Sequence, residues 1–110
     1  MSGTIFLADT SIYVLRNRSE PVKRRFDALL AEGRLAACHM TASAAMDRAV
    51  AIHSELGKRN QHRNFRLADL IIAATAELNR ATVLHYDADY DRIAAVTGHP
   101  SEWVVPKGSI

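Results

Sequence analysis

Three aspartates interrupt apolar sequence at places where an acid needs a reason. Asp9 follows the run Thr4-Ile5-Phe6-Leu7-Ala8 and precedes Thr10-Ser11. Asp69 sits inside Leu67-Ala68-Asp69-Leu70-Ile71-Ile72-Ala73-Ala74, and Asp87 closes Thr82-Val83-Leu84-His85-Tyr86. Carboxylate oxygens are hard donors that select magnesium or manganese over softer metals, and acids crowded together repel unless a divalent ion neutralises them. Gathered at one place, the three would hold such an ion. A bound ion of that kind polarises a phosphoryl group and lowers the pKa of its water, which is the chemistry of phosphodiester hydrolysis. The stretch from Lys58 to Arg66 adds Lys58, Arg59, Arg63 and Arg66, with His62 among them, directly before the helix that carries Asp69. Cations there suit a nucleic-acid backbone beside the metal.

Each acid also has an ordinary explanation. Asp9 could cap a short helix, Asp69 could be a solvent-facing acid at a helix N-terminus, and Asp87 and Asp89 could be turn or cap residues. A basic loop can be merely solvated. The combination favours chemistry only if the fold brings the three segments together, so the elements decide.

The order read from the sequence is βαβαβαβ. A first strand ends at Ala8, and a short helix covers Ser11 to Arg16. Ser19-Glu20-Pro21 then supplies an N-cap and early proline for a helix running to Glu32, stopped by Gly33. Leu35 to Cys38 reads as a second strand. Ala42 to Leu56 reads as a helix with Ala45, Ala49, Ile52 and Leu56 on one stripe, ended by Gly57. Leu67 to Asn79 is an apolar helix, Thr82 to His85 a strand, Tyr90 to Thr97 a helix closed by Gly98, and Trp103 to Val105 a last strand. Such alternation predicts a parallel sheet covered on both faces, with ligands at the carboxyl ends of its strands. Asp9 and Asp87 follow strands directly, so they would emerge at one sheet edge with Asp69 in a helical turn nearby.

Composition narrows the class. At 110 residues, 48% hydrophobic and 24% charged, the chain suits one soluble domain spanning 1–110. No apolar run approaches the roughly 20 residues of a membrane span, and the N-terminus lacks an export signal, so a cytoplasmic protein is expected. A net charge of +2 does not by itself announce a nucleic-acid binder. Arg16, Arg18, Lys23, Arg24 and Arg25 read as the exposed face of an amphipathic helix. The single Cys38 reads as a core-facing strand residue. His85 reads as a packing residue, and His39, His53, His62 and His99 share no ligand spacing. No Ser-His-Asp or Cys-His arrangement is visible, and metal-assisted hydrolysis needs none.

Four stretches carry a family resemblance: Leu7-Ala8-Asp9-Thr10-Ser11, Gly33-Arg34-Leu35-Ala36, Arg66 to Ala74, and Leu84-His85-Tyr86-Asp87-Ala88-Asp89-Tyr90-Asp91-Arg92-Ile93, extended by Trp103 to Gly108. In these the chain resembles the PIN domain, and more narrowly the VapC-type toxin ribonucleases of bacterial toxin-antitoxin pairs. The resemblance implies a three-layer α/β/α sandwich around a mainly parallel sheet. It implies a magnesium- or manganese-dependent endoribonuclease that cleaves structured RNA, tRNA or rRNA, is neutralised by a VapB-type antitoxin and forms a homodimer. Asp9, Asp69 and Asp87 match its catalytic, metal-holding acids. Asp89 matches a nearby fourth acid, and Thr10 and Ser11 match hydroxyl positions beside the first.

One departure stands out. The family pattern has a glutamate early in the helix after the second strand, whereas Met40-Thr41-Ala42-Ser43-Ala44-Ala45-Met46 contains no acid. The chain is also short there by about two helices, on the order of 20 to 30 residues. Either the segment has been lost or the sequence as written lacks it. Asp47, the nearest acid, falls at the wrong position for the motif. A PIN-like module that binds RNA or an antitoxin without efficient cleavage is therefore the alternative. A phosphoryl-aspartate enzyme using Asp9 fits less well, because Ser11 stands where such enzymes want a second acid.

Overall fold

Strands β1 (Phe6–Ala8), β2 (Thr82–His85) and β3 (Ser101–Trp103) form a parallel sheet in the order β1-β2-β3. The helices are α1 (Thr10–Arg16), α2 (Glu20–Ala31), α3 (Ala42–Lys58), α4 (Leu67–Leu78) and α5 (Asp89–Thr97). The computed structural model describes residues 4–36, 42–58 and 66–110. Expectations for Cys38, His39, Arg59, His62 and Arg63 fall outside the described residues.

Strand residues alternate faces, and the alternation sorts the core into two layers. Phe6, Ala8 and Leu84 pack with Ile12 of α1 and with Val22, Phe26 and Leu29 of α2. Leu7 and Val83 pack instead with Ala49, Ile52 and Leu56 of α3, Leu70 and Ala74 of α4, and Ile93 of α5. Helices thus cover both faces, giving the three-layer α/β/α sandwich. Burial on both sides is also why the strands read as continuous apolar runs. The predicted α3 stripe of Ala45, Ala49, Ile52 and Leu56 is fully buried.

Where the elements differ from expectation, local physics accounts for it. Of the second strand, the described part makes one parallel bridge, Leu35 to Phe6, flanked by bonds from Phe6 N to Arg34 O and from Ala36 N to Phe6 O. The last strand comes two residues earlier than predicted. Val104 and Val105 supplied the apolar signal through burial against the α1 and α2 layer, although Val104 N still donates to His85 O at 2.7 Å. Gly57 does not end α3, which runs on to Lys58. Gly98, at φ 71°, does close α5 in the left-handed region that glycine enters freely.

The basic residues of α1 and α2 largely pair within the fold. Arg16 and Lys23 both reach Asp27, at 2.8 and 3.2 Å, and Arg25 pairs with Glu102. Among the described residues no helix is long and apolar enough to cross a membrane.

This core makes a contrast that equilibrium urea unfolding can test. Leu84→Ala, at a fully buried position, should lower unfolding free energy by about 3 kcal/mol, as leucine truncations in cores do. Leu30→Ala, on α2 with 57% of its surface exposed, should change it by less than about 0.5 kcal/mol. Equal losses would contradict this assignment of the core.

Candidate metal centre

The parallel register delivers the first acid to the carboxyl edge of the sheet. Ala8 pairs with Leu84, and the next amide, Asp9 N, donates to Leu84 O at 2.9 Å, so Asp9 leaves β1 tied to the end of β2. It occupies the N-cap position of α1 without making a side-chain cap bond. Its carboxylate instead turns inward, 3% exposed, where Oδ2 accepts from Ser11 Oγ at 2.6 Å and Oδ1 from the Tyr90 hydroxyl at 3.0 Å. The ordinary explanation as a cap residue fails here.

Asp69 arrives in the first turn of α4 and is 2% exposed, so it is no solvent-facing acid. Its Oδ1 lies 3.3 Å from the same Tyr90 hydroxyl. Arg66, at the N-cap position of α4, reaches both carboxylate oxygens at 3.4 and 3.5 Å, at the long limit of hydrogen bonding. Burial pushes the Asp69 carboxyl above the ordinary carboxylate range, Arg66 opposes the shift and Asp9 adds to it.

Asp87 stands two residues beyond β2. Its Oδ1 accepts from Asp89 N at 2.9 Å, so the turn role foreseen as an ordinary explanation is real, and it aims Asp89. Burial and the charge of Asp87 raise the Asp89 carboxyl. One oxygen each from Asp69, Asp87 and Asp89 can lie within 4.8 Å of the others. Asp9 joins the group through Tyr90 and Asp69 rather than by membership in that close trio.

The donor set fits a hard cation. Two ligands opposite each other on magnesium, at about 2.1 Å each, lie about 4.2 Å apart, so the acids need only a small contraction. Every donor is a carboxylate oxygen, which excludes the thiolate and imidazole sets of zinc sites. Burial chiefly, and a neighbouring carboxylate in addition, raise both Asp69 and Asp89, with Arg66 opposing.

The remaining predicted residues divide. Ser11 holds Asp9, while Thr10 is exposed at the start of α1. Lys58 is exposed at the end of α3, 3.8 Å from Glu55, whereas Arg66 faces the acids themselves. Asp47 lies exposed on α3, outside the buried stripe. His85 is fully buried, and burial is the chief cause that lowers its pKa. It packs on Tyr90, with ring centroids 4.9 Å apart, and its Nδ1 accepts from Asp87 N at 3.1 Å.

Tyr90 is the site residue that the sequence reading missed. The sequence marks it only as the start of a helix and is silent about the hydroxyl. The available signal was its position directly after Asp89, at the start of a helix that must pack against the acids. Burial and the two aspartates hold its hydroxyl far above the usual phenol pKa, so it stays a donor.

Over 49 residues the chain is 57% identical to Ribonuclease VapC18 of Mycobacterium tuberculosis (strain ATCC 25618 / H37Rv), a match covering 44% of this chain and 36% of that protein. It is 52% identical over 63 residues to Ribonuclease VapC51 of the same strain, covering 57% of this chain and 45% of the relative. Ribonuclease VapC21 of Mycobacterium tuberculosis (strain CDC 1551 / Oshkosh) is 48% identical over 62 residues, covering 56% and 45%. These matches span less than half the length of the curated relatives. Residues 4–96 match the PIN domain family model, so the chain belongs to the PIN domain family.

Proposed function

We propose that this protein is a magnesium- or manganese-dependent endoribonuclease toxin acting on structured RNA such as tRNA or rRNA. The observation that carries the reading is the convergence of Asp69, Asp87 and Asp89, with Asp9 joined to Asp69 by one hydroxyl, at the carboxyl edge of a parallel sheet. Asp9, Asp69 and Asp87 would hold the cation, with Asp89 in support from the adjoining turn. The chemistry such a cation would supply is polarisation of the phosphoryl group and activation of water. Ser11 fixes the outer oxygen of Asp9. Arg66, whose contacts to Asp69 are long and whose side chain is 74% exposed, turns toward an RNA phosphate once the acids are otherwise neutralised. Lys58, Arg59 and Arg63 are the further cations proposed from the sequence to bind RNA.

Similarity to VapC proteins supports a VapB-type antitoxin partner, and a homodimer in a cytoplasmic setting completes the proposal. A groove lined by Tyr13, Phe26, Leu30 and Leu35, with Tyr13 and Leu30 more than half exposed, offers apolar surface to a protein partner. The chain is read as a single PIN-like domain over 1–110 in which a segment near 40–46 has either been lost or is missing from the sequence as written. The missing acid in that stretch favours a second reading, a module that binds RNA or antitoxin but cleaves poorly.

Cleavage of structured RNA separates the two readings. The wild-type chain should cleave with Mg2+ or Mn2+ and not in EDTA, and Asp9→Asn or Asp87→Asn should each lower the rate by more than about 100-fold. Losing a group that merely supports a metal ligand already costs 10- to 100-fold. Metal-saturated wild-type protein that binds RNA and leaves it intact would establish the second reading.

Asp69 supplies an independent test in stability. Its raised folded pKa means that its contribution to stability is complete below its ordinary value of 3.8 and is lost as pH rises through the folded value. At neutral pH without metal the ionised acid is therefore a cost. Asp69→Asn should raise the thermal midpoint in EDTA by on the order of 5 °C, or about 1 kcal/mol, and should lose the stabilisation that Mg2+ gives the wild type. A lower midpoint in EDTA would refute this account of Asp69.

A further inference from the structure

Asp9 and Asp69 come from β1 and α4, and the Tyr90 hydroxyl of α5 stands between them. Its oxygen is 3.0 Å from Asp9 Oδ1 and 3.3 Å from Asp69 Oδ1. A phenol carries one proton, so it donates to one of these oxygens at a time and alternates between two acceptors. The oxygen is also nearly immobile. The residue is 1% exposed, its ring stacks on His85 with centroids 4.9 Å apart, and Ser101 Oγ donates to its backbone carbonyl at 3.4 Å.

Packing alone does not require a hydroxyl there. A phenylalanine ring would fill the same volume against His85 and Ile93, and a buried hydroxyl costs free energy unless it is hydrogen-bonded. The hydroxyl is therefore accounted for by the two carboxylates it bonds.

The geometry points to Tyr90 as a positioning residue for the cation, a fixed donor that holds Asp9 and Asp69 within reach of one ion. This rests on the metal-dependent reading above. Before an ion binds, the shared proton offsets the repulsion between two buried acids. With an ion present, each acid can turn an oxygen toward it while the hydroxyl retains one of the two Oδ1 atoms, so little reorientation is left for binding to pay for.

The test uses the full chain and Mn2+ titration by calorimetry. Tyr90→Phe should weaken Mn2+ binding by about 10-fold or more with unchanged far-ultraviolet dichroism, and Tyr90→Trp should not restore it. Tyr86→Phe, which removes a hydroxyl that accepts from Gly108 N at 2.9 Å, should leave the affinity unchanged. A second variant keeps the question open to refutation even if Tyr90→Phe does not fold. Tyr13→Phe combined with Tyr86→Phe leaves Tyr90 as the only tyrosine, and adding Mg2+ should then shift its near-ultraviolet absorption. Equal Mn2+ affinity in wild type and Tyr90→Phe, or an unshifted lone tyrosine at saturating Mg2+, overturns this role while leaving the metal-dependent reading intact. Absence of any Mn2+ binding by the wild type overturns both.

Discussion

Like charges brought out of water near one another constrain this molecule more than any other interaction. Asp9 and Asp69 are each at least 97% buried and share a single hydroxyl, and the only cation close to them is a largely exposed arginine at long range, among the described residues. Removing a carboxylate from water is costly unless a donor or opposite charge replaces the solvent. Ser11, Tyr90 and Arg66 supply part of that replacement, and the raised Asp69 shows that the part is incomplete. A core free to minimise its energy would not keep such a group. The proposed cation site gives it a reason to be kept.

The sheet makes the arrangement possible. Because β1 and β2 run parallel in register, both chains leave the sheet on the same side, and Asp9 N still bonds Leu84 O as it departs. The two apolar layers fix the helices that complete the site. α4 packs Leu70 and Ala74 into the layer on the Val83 face, which turns Asp69, one residue before Leu70, toward the sheet edge. α5 starts at Asp89 because the Asp87 carboxylate holds the Asp89 amide, and that start sets Tyr90 against both acids. Packing and electrostatics therefore meet in the same few residues, and a change in the turn from His85 to Asp89 would disturb both.

Much of this was legible in the chain because strands and acids were marked by contrast. An aspartate after Ile5-Phe6-Leu7-Ala8 is conspicuous, and the 3.6-residue stripe through Ala45, Ala49, Ile52 and Leu56 announced a buried helix face. Parallel topology was enough to expect Asp9 and Asp87 at one sheet edge, whereas the close trio the fold forms is Asp69, Asp87 and Asp89, with Asp9 beside it. What the sequence hid were roles that depend on a single atom. Tyr90 read only as the first residue of a helix, because nothing in periodicity distinguishes a ring that fills space from one whose hydroxyl is needed. Arg66 read as one cation of a basic loop, although its carboxylate partner lay three residues on. Asp89 ranked below Asp9, yet it lies in the close trio, since a side-chain bond within the turn, invisible to pattern, brings it in.

The distribution of cations follows the same logic. Arg16, Lys23 and Arg25 are engaged with Asp27 and Glu102, and Arg48 with Glu77, so these residues hold helices together and leave little field for an anionic ligand. Arg66 differs because its partner is itself part of the site. Whatever neutralises Asp69 weakens the hold on Arg66, so in the proposed function cation binding and phosphate binding would be linked through one carboxylate. Such coupling would be reciprocal, and an anionic substrate drawing Arg66 away would leave Asp69 more in need of a cation. The modest net charge of +2 is then no argument against a nucleic-acid substrate. Attraction is concentrated where the acids, once neutralised, release it.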